Sequence, residues 1–499
     1  MQRKITILTI LVCLYFSALS QYQASLWTDF EPGAYELTGS FRGIPKAYRA
    51  LRLDHSQLKK VLDNTPLEQW GIHNQKGKTF AIPYPDGCFK RFNLLESPVM
   101  EAGLARKFSE IKTYIAKGID DPYATMRISV ASNGFHAIIH TVGGTIYIDP
   151  YPAVHQDVYF SYYKKDYQAA RTFGEITLPQ DTINMGGGPI MPVGTGQTMK
   201  IYRIAISTTG EYATFHGGNT NSVMSAIVTT LNRVNSVYER EVTIRMVLVN
   251  NNDRIIYLDG NTDPFSNNDP SAMISENQTT IDTEIGSANY DIGHVFSTGG
   301  GGLASPGVVC QSAFKAGGVT GTSSPIGDPF DIDFVAHEIG HQFSAAHTFN
   351  SQTGGCQGNR SNNSAYEPGS GSTIMAYAGL CSIDNLQINS NDYFHHRSYS
   401  QIINYITNRA GNTCGTSMST GNTPPSVGIL LGNTTIPMMT PFELEGGASD
   451  INGDNLTFCW EQYDLGPSGS PNSPAGDAPI FRSFPPTPNP IRVFPRLES

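Results

Sequence analysis

The sequence predicts a multidomain, strand-rich chain with a β-rich first domain, an α/β middle domain and an all-β end. Three observations carry this prediction. The 499 residues exceed what one core holds at roughly 100 to 200 residues per domain. Two stretches without hydrophobic periodicity divide the chain: "QDTINMGGGPIMPVGTGQ", rich in Gly and Pro, and "GTSMSTGNTPPSV". The patterning changes across them, from period-two alternation to strand alternating with helix, then back to short strands.

The first twenty residues precede any domain. "MQRKITILTILVCLYFSALS" opens with Arg3 and Lys4, runs apolar from Ile5 and ends in small residues. It reads as a signal peptide cleaved after Ser20, because the run is short of the ~20 residues a spanning helix needs. The chain is therefore expected to be secreted, extracellular or at the cell surface, with no membrane span. A net charge of −10 repels nucleic acid and anionic membranes, so neither is an expected partner. Six cysteines remain after the signal, and export makes disulfides possible.

Residues 21–195 form the first domain. A short amphipathic helix is expected in "LDHSQLKKVLDNTP", followed by hairpins turning at Asp86-Gly87, Asn133-Gly134 and Gly143-Gly144. The middle domain, 196–418, begins with a strand at "KIYRIAIST". A helix follows in which Val223, Ile227, Leu231 and Val234 recur at threes and fours. Strands at "VTIRMVLVN" and "RIIYL", a helix at "MISENQTTIDTEIG" and a strand at "YDIGHVFST" complete an α/β layer with a mostly parallel sheet. Residues 424–499 read as a β-sandwich module, smaller than the ~100 residues usual for one.

The chemistry gathers in "DFVAHEIGHQFSAAH", residues 333–347. Asp328-Pro329 marks a helix start with a capping acid. On that helix His337 and His341, four apart, stand on one face and have the spacing of the HExxH zinc motif. Glu338 lies beside the first ligand, placed as general base and acid for a metal-bound water. A catalytic zinc takes three protein ligands and leaves one position open. His347 is the expected third, and the chain must bend at Ser344 to bring it round. Glu367, the alternative third ligand, sits in the loop sequence "YEPGSGS".

"HEIGHQFSAAH" resembles the metzincin zinc protease signature HExxHxxGxxH in every position except Ser344, where the family has glycine. "STIMAYAG" resembles the family's Met-turn, which implies that Met375 lies beneath the metal and that Tyr377 stands near it. With "YERE", "YDIGHVFSTGGGG" and "AYEPGSGSTIMAYAG", the chain is similar to secreted, reprolysin-like bacterial zinc proteases over most of its length. The resemblance implies a proregion over 21–195, a metzincin-type catalytic domain over 196–418, and a β-sandwich of the fibronectin type III or cadherin kind. It implies the pairs Cys356–Cys381 and Cys310–Cys414. It also implies an edge strand that pairs with substrate, assigned to the strand carrying His294.

The expected function is that of a zinc-dependent endopeptidase acting on protein or peptide substrates and made as a latent proenzyme. The alternative is a catalytically silent, zinc-containing adhesin or binding module on the same fold. Latency has two candidates, the thiolate of Cys88 or a carboxylate at Asp120 or Asp121. Calcium is a second candidate ion, at Asp450, Asn452 and Asp454, whose oxygens suit it and equally suit an ordinary turn.

Overall fold

Period-two hydrophobic patterns fold the first domain into one antiparallel sheet. The computed structural model describes residues 26–31, 43–151, 157–167, 194–428 and 435–496. The expected signal peptide and most of the Gly- and Pro-rich segment before Thr198 fall outside the described residues. The strands are β1 (Trp27–Asp29), β2 (Arg49–Leu53), β3 (Lys78–Pro83), β4 (Phe89–Glu96), β5 (Lys112–Gly118), β6 (Thr125–Ala131), β7 (Gly134–Thr141), β8 (Gly144–Pro150) and β9 (Val158–Tyr163). They lie in the order β1-β2-β9-β8-β7-β6-β5-β4-β3. The expected hairpins turn where Gly87, Gly134 and Gly144 hold positive φ. One face closes on the amphipathic helix His55–Leu62, whose first turn is capped by Asp54, around Trp27, Phe80, Phe92, Phe135 and Tyr159.

The middle domain is a mixed sheet backed by helices. Its strands are β10 (Thr198–Thr208), β11 (Ile244–Leu248), β12 (Ile292–Ser297), β13 (Gly302–Ala304), β14 (Gly318–Gly321) and β15 (Thr416–Ser419). The order is β11-β10-β12-β14-β13, with β15 also on β10. β11, β10, β12 and β14 run parallel, while β13 is the antiparallel edge strand. Behind the sheet lies the helix Thr220–Val242, capped by Asn219. Its apolar face packs as the spacing predicts, yet its polar residues Ser225, Thr229, Asn232, Arg233 and Ser236 are buried as well. The face of the first sheet that carries Arg127, Ser129 and His140 covers them, with bonds from Arg127 to Asn232 (3.0 Å) and between His140 and Ser236 (2.9 Å).

Two expectations are corrected. "RIIYL" is not a strand: Asn252–Ile255 is a 3₁₀ turn. The side chain of Asn252 accepts from the Ile206 N–H and donates to the Ile206 carbonyl, so an amide takes the ladder positions a strand would fill. The strand carrying His294, β12, lies between β10 and β14, so it is interior; the edge belongs to β13. Past residue 420, the described residues pair as two short ribbons, Ser426–Val427 with Ala448–Ser449 and Phe442–Glu445 with Ile491–Phe494, and as a single antiparallel bridge between Phe458 and Thr487. These residues lie on the middle domain through Asn350 to the Pro467 carbonyl (2.9 Å), Tyr393 to Ser483 (2.7 Å) and stacked Tyr366 and Tyr463.

Candidate metal centre

The active-site helix begins at Gly327, continues as a π-helical segment over Asp331–Ala336 and returns to α-helix over His337–Gln342. Such wide turns cluster at functional sites because they re-aim side chains. Asp328 does not cap this helix. Its carboxylate accepts from the Tyr147 hydroxyl and pairs with Lys164 at 2.9 Å, both from the first sheet. The helix ends at Phe343, and Ser344 stands at φ 75°, the left-handed conformation that turns the chain back and brings His347 to the other two histidines.

His337, His341 and His347 are buried and meet at their Nε2 atoms. The Nε2 of His341 lies 3.1 Å from that of His337 and 3.1 Å from that of His347. Each ring has its Nδ1 on a backbone carbonyl: Ile374 for His337 (2.6 Å), Ala345 for His341 (2.7 Å) and Asn359 for His347 (2.7 Å). A carbonyl only accepts, so each Nδ1 carries a proton, which leaves Nε2 as the atom through which each ring can hold a metal. Tetrahedral zinc at 2.0 to 2.1 Å would set the nitrogens about 3.3 Å apart, close to the spacing seen, so the donor set fits the ion. The carbonyls also fix tautomer and ring orientation, as outer partners do at metal sites.

The Met-turn supplies two of the supports. Ile374 holds His337, and Met375 packs beneath the helix: a Cβ on Gly340 would stand 2.4 Å from its sulfur. Tyr377 is buried with its ring 4.5 Å from that of His347. Glu338 is buried against the edge strand, where a Cβ on Gly302 would stand 2.1 Å from its Oε1. Gly340 and Gly302 are positions of close approach that the sequence did not single out. The lone helical glycine inside "HEIGH" was the available signal for one; for Gly302 only the run "GGGG" hinted at a close backbone approach.

Disulfides Cys356–Cys381 and Cys310–Cys414 are formed, and the first packs with Phe349 and Tyr377. The remaining candidates lie elsewhere. Cys88 is exposed in the turn between β3 and β4, where its neighbours are Asp86 and Arg49, so the structure does not bring its thiol to the histidines. Asp120 is paired with Arg91 (2.6 Å), and Asp121 accepts from Tyr123 N–H. Glu367 is buried among Thr348, Ser372 and Thr373 and is not a ligand. His294 bonds Gln342 and Thr320, and burial pushes it down to about 4 against the raising effect of Gln342, so it is a neutral structural residue. His395 caps the helix His396–Asn408. The oxygens of Asp450 and Asn452 accept backbone N–H groups, and Asp454 pairs with Lys117 (2.7 Å) and His73 (3.1 Å). This is a turn docked on the first sheet, and it lends calcium no support.

A helix-borne pair of imidazoles, joined by a third beyond a left-handed bend over a methionine turn, is the apparatus of a metallopeptidase of the zincin class. Residues 198–406 match the model of metallo-peptidase family M12B, reprolysin-like. Among solved structures, the chain is similar to metalloproteinase-II from Bacteroides fragilis at 10% identity and a TM-score of 0.41. That alignment covers 73% of this chain and 97% of the other. No curated protein matches the chain. No helix among the described residues is long and apolar enough to cross a membrane.

Proposed function

We propose that the chain is a secreted zinc endopeptidase made as a latent proenzyme, in which His337, His341 and His347 hold the metal and Glu338 is the general base. The observation that carries this reading is the convergence of the three Nε2 atoms with every Nδ1 tied to a carbonyl, beside a buried carboxylate. Bound zinc would supply a Lewis acid and a water acidified toward neutral pH.

The protein's own residues do the rest. Glu338 takes the proton of the attacking water and returns it to the leaving amine. It is buried under the Gly302 backbone. Tyr377, packed on His347, donates to the oxygen on which negative charge develops. β13 is the last strand of its sheet, and an extended peptide would pair with it as a further strand and lie with its scissile bond over Glu338. The disulfides and the expected signal sequence support an extracellular setting.

The test is cleavage of an unfolded protein by the purified chain, together with self-cutting within residues 171–198. Both should stop with a chelator and return with zinc. Cleavage that persists through chelation would rule the metal mechanism out; a zinc-loaded protein that cuts neither substrate nor itself would favour the silent binding module.

A further inference from the structure

The seating of the first domain is unlike that of a leader to be discarded. Val99, Leu104 and Phe108 belong to the same core cluster as the helix Thr220–Val242 and the active-site helix. Leu248 at the end of β11 donates to the Val99 carbonyl (2.8 Å) and accepts from the Glu101 N–H (2.9 Å), so the first domain extends the catalytic sheet. Charge crosses the same interface in buried pairs. Arg127 binds Glu239, and Arg245 binds Glu68. Asp149 of β8 holds Arg233 (2.6 Å), which in turn holds Asp331 on the active-site helix (2.9 Å). Asp328, at the head of that helix and 2% exposed, accepts from Tyr147 and Lys164 of the first domain. Lifting the sheet away would strip buried charges of their partners, the costliest way to break an ion pair.

We infer that the first domain is a permanent part of the enzyme: after the chain is cut between Tyr167 and Thr198 it stays seated, and its Tyr147 and Lys164 act through Asp328 as positioning residues for the helix that carries His337 and Glu338. The catalytic consequence rests on the protease reading above; the retention does not. The two anchored aspartates bracket the start of the π-helical segment Asp331–Ala336, whose wide turn sets the rotation at which the histidines leave the helix. That turn is therefore held in place from outside the catalytic domain.

The experiment uses the full chain with a recognition site for a specific protease placed between Tyr167 and Thr198. After the cut, gel filtration in high salt should give one peak containing both fragments in equal amounts. A first domain that elutes alone, leaving a folded remainder, overturns the inference. Lys164→Met and Lys164→Arg in the uncut chain test the positioning role. With Lys164→Met, hydrogen exchange at the amides of residues 331–336 should speed by about tenfold or more, as expected when a buried pair is broken; Lys164→Arg should remain near the parent. Unchanged exchange in Lys164→Met overturns that role. Measured on an unfolded protein substrate after the cut, with the first domain still seated, Lys164→Met should lower kcat with KM little altered, and Lys164→Arg should restore it. A parent that binds zinc and cuts nothing would remove the protease reading, while the gel-filtration result would still decide the retention.

Discussion

Ser344 is the one position where the ligand stretch departs from glycine, and its backbone makes the departure quantitative. At φ 75° a residue with a Cβ bears a strain of roughly 1 to 2 kcal/mol. Glycine removes that strain but gives its unfolded chain more freedom, which offsets about 0.4 to 1 kcal/mol. Replacing Ser344 by either Ala or Gly removes the hydroxyl alike, so the comparison of Ser344→Ala with Ser344→Gly isolates the backbone. The glycine variant should be the more stable by about 0.5 to 1 kcal/mol, or roughly 1 to 4 °C in melting temperature for a domain of this size. Ser344→Val, β-branched and unsuited to the left-handed region, should fall below both and lose zinc affinity, because His347 reaches the other ligands only through this bend. The assay is thermal and denaturant unfolding of the three variants, each with zinc and with chelator. Equal stability of the alanine and glycine variants would refute the claim that backbone strain is stored at this bend.

Other outcomes follow from the same geometry. His294 is held neutral by burial at about 4 against an ordinary 6.5, so the unfolded chain binds its proton first. Its contribution, up to about 3 kcal/mol, is present above pH 6.5 and is lost as the pH falls toward 4; denaturant titrations of the parent and His294→Gln should differ in slope across that window and be parallel above it. Removing the Cys356–Cys381 bridge, which closes a loop of 25 residues, by Cys356→Ser with Cys381→Ser should cost ~3 kcal/mol in the chain-entropy model, read as a lowered denaturation midpoint. Gly340→Ala would press a methyl group on the sulfur of Met375; it should weaken zinc binding in a competition titration with a chelator, and unchanged affinity would show that the Met-turn is not the floor of the site.

The local chemistry of the site was legible in the sequence, while its surroundings were not. The spacing of His337 and His341, the hairpins and the helix Thr220–Val242 follow short-range rules of helix periodicity and turn formation, while the Met-turn was implied by the family resemblance. The misses are tertiary. "RIIYL" has strand composition, but the Asn252 side chain occupies the ladder beside Ile206. Asp328 has the sequence of a cap, but Tyr147 and Lys164, more than 160 residues away, take its carboxylate. The apolar spacing of the helix Thr220–Val242 does not reveal that a sheet covers its polar face as well. Strand order, which makes β13 and not the strand of His294 the edge of the sheet, is set by long-range pairing that periodicity does not encode.

The measurement that tests the central claim most directly compares the parent with Glu338→Gln on an unfolded protein substrate, with zinc content measured in both. Glutamine keeps the size of Glu338 but takes up no proton. The account predicts roughly one zinc bound in each protein, cleavage by the parent and none by the variant. A variant that binds zinc and cleaves as fast as the parent would contradict it.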